Sequence, residues 1–241
     1  MTFEHGQLGS NAVVGVDSAP AAMVEPADRA VSPALRLQIL STEHWSLLAT
    51  RSLAWNETFS RAAMFLSTLS GAMVAIALVA QASASSSGFV LFALAILAVV
   101  LFIGVATFVR LGASNYYDAM CIVGMNRIRA GYLELAPDLE RYFVMSAHDD
   151  PRGVATSMGV PPGMRSTLHV IAATPSVISI LDAVIAGAMA ALIGTDLDAA
   201  LGLSLCAGAL AFSIVLVMQQ RYARRYIARV RSSVRPIFPT P

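Results

Sequence analysis

Residues 62–109 read AAMFLSTLSGAMVAIALVA, then QASASSSG, then FVLFALAILAVVLFIGVATFV. The first block carries no charge across 19 positions, and in the second Thr107 is the only polar residue. Hydrocarbon offers a backbone no hydrogen-bond partners, so about 20 apolar residues that form a helix are what a lipid bilayer accepts. Two adjacent blocks of this kind predict two transmembrane helices joined by a short turn.

Working outward, two further stretches qualify. Val170–Ile193 contains Pro175 and a single ionisable residue, Asp182, and Ala199–Met218 is again uncharged. The composition agrees: 56% of the 241 residues are hydrophobic, 13% are charged and mean hydropathy is +0.67, whereas a soluble domain carries roughly a quarter charged residues. A cytosolic enzyme is disfavoured on that ground. A net charge of +1 and two cysteines speak equally against a nucleic-acid binder and a disulfide scaffold.

Arginine sets the expected orientation. All 16 basic residues are arginines. They fall before or at the first span (Arg29, Arg36, Arg51, Arg61), between the second and third (Arg110, Arg127, Arg129, Arg141, Arg152, Arg165) and after the fourth (Arg221, Arg224, Arg225, Arg229, Arg231, Arg235). The loops 81–88 and 194–198 have none. Because basic loops stay cytoplasmic, four spans with both termini inside satisfy every loop, in an inner (plasma) membrane. No basic, apolar-cored signal opens the chain, and both cysteines are expected to be reduced.

The expected fold is therefore all-α: an integral membrane four-helix protein of two transmembrane hairpins, a cytoplasmic helical stalk and a basic amphipathic helix at the C-terminal side. The expected divisions are a disordered tail at 1–34, an amphipathic helix at 35–61, the hairpins at 62–110 and 170–218, a cytoplasmic helix and loop at 111–169, and a basic tail at 219–241. Trp45, Leu48, Trp55 and Phe59 share one face of the first extension. The second repeats Tyr117, Cys121, Gly124, Ile128, Gly131 and Leu135 at steps of four and three, a packing seam with small residues in it. Two such stripes can cover one another in an upright stalk. The alternative lays the first extension flat on the bilayer with its tryptophans in the headgroups.

Pro137 starts a short helix with acid in its first turn, and 146–166 is expected to be a loop in which His148, Asp149 and Asp150 form a solvated turn rather than a metal site. After the fourth span, Tyr222, Ala223, Tyr226, Ile227, Val230 and Val234 occupy one arc of a helix, and Arg221, Arg224, Arg225, Arg229, Arg231 and Arg235 the other. The five from Arg221 to Arg231 are candidate contacts for anionic headgroups, either as plain cytoplasmic anchoring or as a lipid sensor.

Inside the membrane Asp182 stands out, reckoned near the midplane from the span limits. A charge at that depth is costly, so such a residue is by default a functional hypothesis. The expected partners are hydroxyls, Ser179, Ser204 and Ser213, with further hydroxyls on the first span. The carboxyl is either interhelical glue or part of a proton or cation path, in which case Pro175 frees carbonyls nearby. Small-residue rows (Ser67, Gly71, Ala75; Ala183, Gly187, Ala191; Ser204, Gly208) support tight packing or oligomers, while Gly104 carries no specific signal. No nucleophile elbow, Walker loop or metalloprotease motif is present, so no catalytic residue, metal or cofactor is expected. The reading is an oligomeric membrane protein of interaction or regulation, partnered by anionic lipid and by itself or another membrane protein. A small channel or proton-linked carrier using Asp182 is the alternative, and an intramembrane hydrolase a weaker one.

Overall fold

The computed structural model describes residues 31–83, 87–159 and 174–241. The tail expected at 1–34 lies almost wholly outside them, as do 160–173. Every regular element among the described residues is helical. Among the described residues four helices are long and apolar enough to cross a membrane: α1 (Pro33–Ser83), α2 (Ser87–Leu135), α4 (Thr174–Asp196) and α5 (Leu201–Ser233). Between α2 and α4 lie a 3₁₀ turn, Pro137–Tyr142, and the seven-residue helix α3, Pro151–Ser157.

α1 and α2 run 51 and 49 residues without a break, about 75 Å each at 1.5 Å per residue. Neither contains an internal proline, so nothing interrupts the helix where the apolar stretch ends. They pack antiparallel: Arg36 pairs with Glu134, the rings of His44 and Tyr132 stack at 6.1 Å, Arg51 Nε donates to Asp118 at 2.6 Å, and Arg110 reaches Glu57 at 2.9 Å.

The seam expected on α2 packs from Cys121 to Leu135, while Tyr117 at its start stays 59% exposed. Gly124 and Gly131 admit Leu47 and Leu40, whose methyls lie 2.7 and 3.1 Å from where a Cβ would stand. The face of α1 that meets it differs from expectation. Leu40, His44, Leu47, Arg51, Ala54, Thr58, Ala62 and Phe65 turn inward, while Trp45, Leu48, Trp55 and Phe59 stay exposed. α1 carries two stripes, and the one with smaller and more polar residues is chosen because it supplies ion pairs and fits the glycines.

α4 and α5 also pack antiparallel. Gly187 and Gly208 approach so closely that a Cβ on either would lie 3.0 or 2.8 Å from the other's carbonyl oxygen. Their small-residue rows are thus used within the chain. Pro175 is the second residue of described α4; the carbonyls it is expected to free precede residue 174 and lie outside the described residues. The shared core joins Phe65 and Ala72 of α1, Leu97, Val100, Phe108 and Leu111 of α2, and Ile178 and Ile185 of α4.

Candidate functional site

Asp182 is fully buried where four helices meet. Its Oδ2 accepts a 2.8 Å hydrogen bond from Gln219 Nε2 of α5. Its Oδ1 occupies the volume a side chain on α2 would need: a Cβ at Gly104 would stand 1.8 Å from Oδ1 and 2.8 Å from the ring edge of Phe65. Gly104, given no meaning from sequence, is therefore what lets the carboxyl enter the bundle.

The expected hydroxyl partners are not the ones used. Ser204 and Ser213 donate to the carbonyls of Ala200, the N-cap of α5, and Ala209, which satisfies each hydroxyl without help from a neighbouring helix. Ser179, three residues before Asp182, is buried beside it without a bond. Ser179 Oγ, Asp182 Oδ1 and Gln219 Oε1 have no hydrogen-bond partner. Gln219 escaped notice because it sits one residue past the uncharged stretch; its polarity at that boundary was the available signal.

Gly104 is six residues from Arg110, Phe65 four from Arg61, and Gln219 two from Arg221, so at 1.5 Å per residue the groups around the carboxyl stand roughly 3–9 Å along their helices from the nearest arginines.

A second constellation lies beyond the apolar stretches, at the turn expected to be solvated. Asp149 is 2% exposed. Its carboxylate accepts from Arg127 Nε at 2.7 Å and from the backbone N–H groups of Ile237 and Phe238 at 2.9 and 2.8 Å, and its own N–H donates to Phe238 O at 3.1 Å. Arg127 also donates to Arg235 O, and Thr240 donates its hydroxyl to Asp150. The turn is thus the seat of an extended segment that follows α5, which is why it is buried. Burial pushes the Asp149 carboxyl up, but the Ile237 N–H, Arg127 and the Phe238 N–H together bring it below the usual carboxylate range. Asp150 caps α3 by accepting from Gly153 N at 3.0 Å, and the loop expected across these residues contains that helix because Asp at the N-cap and Pro at N1 start one.

Asn126, fully buried, ties the same region together. It donates to His148 O and accepts from Ser157 and Arg129 at 2.7–2.9 Å. No group of three or more metal-ligating His, Cys, Asp or Glu occurs among the described residues.

The basic end of α5 stands against α2 rather than away from it. Tyr222 meets Phe108 and Tyr226 meets Tyr116, at ring distances of 6.3 and 6.1 Å. Arg221, Arg224 and Arg225 are exposed, and the side chains of Arg229 and Arg231 lie outside the description. A shallow groove of about 280 Å³ between α1 and α2 is lined by Thr50, Leu53, Glu57, Arg110 and Tyr117; Arg110 and Arg61 hold Glu57 below the usual carboxylate range there. The chain matches no protein-family model, no curated protein and no solved structure.

Proposed function

We propose that the chain is a non-enzymatic, oligomeric protein of the inner (plasma) membrane that serves interaction or regulation, with its arginine-bearing side in the cytoplasm. In this reading α1 with α2 and α4 with α5 are transmembrane hairpins, and the ends of α1 and α2 form an upright cytoplasmic stalk. α3 and the segment after α5 brace it, and Arg221, Arg224 and Arg225 meet anionic headgroups.

The observation that supports the reading is the apolar surface left open outside the apolar stretches: Trp45 is 69% and Phe59 59% exposed, on a helix paired along its length with α2. Isolated apolar residues on a surface need no explanation, but a contiguous patch marks an interaction site. Native mass spectrometry of the full chain in nanodiscs tests this, with more than one copy, or a bound partner, as the expected result. A strictly monomeric chain with no partner overturns it.

The second reading, a small channel or proton-linked carrier, is favoured by one observation: three buried oxygens without partners around Asp182. Proteoliposome flux separates the two. Asp182→Asn abolishes proton or ion flux if the carboxyl is on a pathway and leaves assembly intact if it is not.

A further inference from the structure

α1 uses one of its faces on α2 and leaves most of a second, longer one open; on that second face the Trp55 indole N–H reaches α2, donating to Asp118 Oδ1 at 3.1 Å, while 45% of the residue stays exposed. Trp45, Leu48, Ser52, Trp55, Phe59, Ala63, Leu66, Ser70, Met73 and Ala77 follow one another at steps of three or four, and every one is exposed. At 100° per residue they form a single stripe centred about 100° round the helix from the face that meets α2. Steps alternating between three and four mark a seam for another helix, and large residues alternate with small ones as knobs and holes require.

Lipid can cover the part of this stripe from Ala63 onward, but not the part before it. The pairing of Arg36, His44, Leu47 and Arg51 with α2 fixes α1 along α2, so Trp45, Leu48 and Trp55 stay with the paired helices beyond the apolar stretch. Area bears on the stripe as a whole. With about 150–250 Å² for an aromatic side chain and the exposed fractions observed, the large residues of the stripe present about 600–700 Å². A stable interface takes roughly 800 Å² from each partner.

We propose that this stripe is the interface between two copies of the chain, packed α1 to α1 in parallel about a two-fold axis along the membrane normal. The proposal rests on the oligomeric reading above and names its partner. The argument for a second copy is continuity: the stripe stays on one face of α1 from residue 45 to residue 77, with a step of four repeated once at Phe59, across the limit of the apolar stretch. Whatever fills it must be a continuous helix, apolar and small-residue-rich at one end and aromatic at the other, standing at the same depth. α1 meets each condition, and a two-fold axis places every position opposite itself.

Ser52 then faces Ser52 of the second copy. The test is oxidative crosslinking of the full chain in nanodiscs, with Cys206→Ser as background and Ser52→Cys, Leu66→Cys, Thr50→Cys and Gly71→Cys introduced singly. Ser52→Cys and Leu66→Cys are expected to give most of the chain as a disulfide-linked dimer. Thr50→Cys, in the groove beside α2, and Gly71→Cys, about 120° away on α1, are expected to give little. Trp45→Ala with Phe59→Ala, which leaves the Trp55 bond to Asp118 in place, is expected to weaken dimerisation at least about a hundredfold. Two or more copies that crosslink through position 50 or 71 and not through 52 and 66 overturn the seam while leaving the oligomeric reading standing. A monomeric chain by mass, with no crosslink at any position, overturns both.

Discussion

Gly104 of α2 and Asp182 of α4 are complementary in volume: the carboxyl oxygen of one lies 1.8 Å from where the other would carry its Cβ. The contact cannot relax by a small shift, because Phe65 closes the same space at 2.8 Å. Gly104→Ala is therefore expected to destabilise the bundle by about 1–3 kcal/mol, the usual range for overpacking. Asp182→Ala in the same chain should recover part of that loss. Unfolding in detergent, run as a double-mutant cycle, checks this; additive effects would show that the two residues do not share the space.

Asp182→Asn makes a different prediction. The asparagine oxygen can still accept from Gln219 Nε2, and its amide supplies two donors to a site in which Ser179 Oγ and Gln219 Oε1 have none. A neutral group is also cheaper to bury than an ionised one. The variant is expected to unfold at the same temperature as the parent or higher. Asp182→Leu, which strands the Gln219 amide, is expected to cost about 1–3 kcal/mol. A stability loss of comparable size in both variants would mean that the carboxylate itself holds the helices.

The two extensions can be probed without touching the spans. Leu47 lies against Gly124, whereas Leu48, on the stripe favoured from sequence, points away. Leu47→Cys with Gly124→Cys is expected to form an intramolecular disulfide, since shortening Leu47 removes the methyl that crowds position 124. Leu48→Cys with Ile128→Cys, the pair that sequence reasoning alone would choose, is expected to stay reduced. Non-reducing gels with mass spectrometry decide between them, and the reverse pattern would rotate α1 by about one residue.

That choice of pair shows where the sequence was legible. The four long apolar helices could be read because apolar length is a local demand, which nothing elsewhere in the chain can relax. The seam on α2 was readable because Cys121, Gly124, Ile128 and Gly131 repeat small and apolar residues at steps of three and four. α1 has two stripes, and tryptophan weighs heavily in any judgement of apolarity. The stripe that packs on α2 includes His44 and Arg51, whose fitness depends on Tyr132 and on Asp118, 67 residues away from Arg51. Asp182 could be flagged by its charge, but not Gln219, 37 residues on, nor the role of Gly104. Asp149 looked like part of a polar turn because its partners, Ile237 and Phe238, lie 88 and 89 residues downstream. Local demands were readable, and pairings across the chain were not.

Asp149 gives the last prediction, a pH dependence with a definite sign. Its carboxyl is held below the usual range in the folded chain, so the bound segment gains stability from it that is complete above the unfolded value of about 3.9. That stability is lost as pH falls through the folded-state value. The Ile237 and Phe238 amides should be protected from hydrogen exchange at neutral pH and should open below about pH 3.9. Asp149→Asn keeps the shape, removes the charge seen by Arg127 and leaves one acceptor where there were two. It is expected to cost about 1.5–3 kcal/mol locally, the range for hydrogen bonds to a charged group, and so to speed exchange at those two amides by about ten- to a hundredfold at pH 7, with no change in the amides of α4. Exchange indifferent to both the substitution and the pH would mean that the segment is held by the Thr240 contact with Asp150 and the Arg127 contact with the Arg235 carbonyl instead.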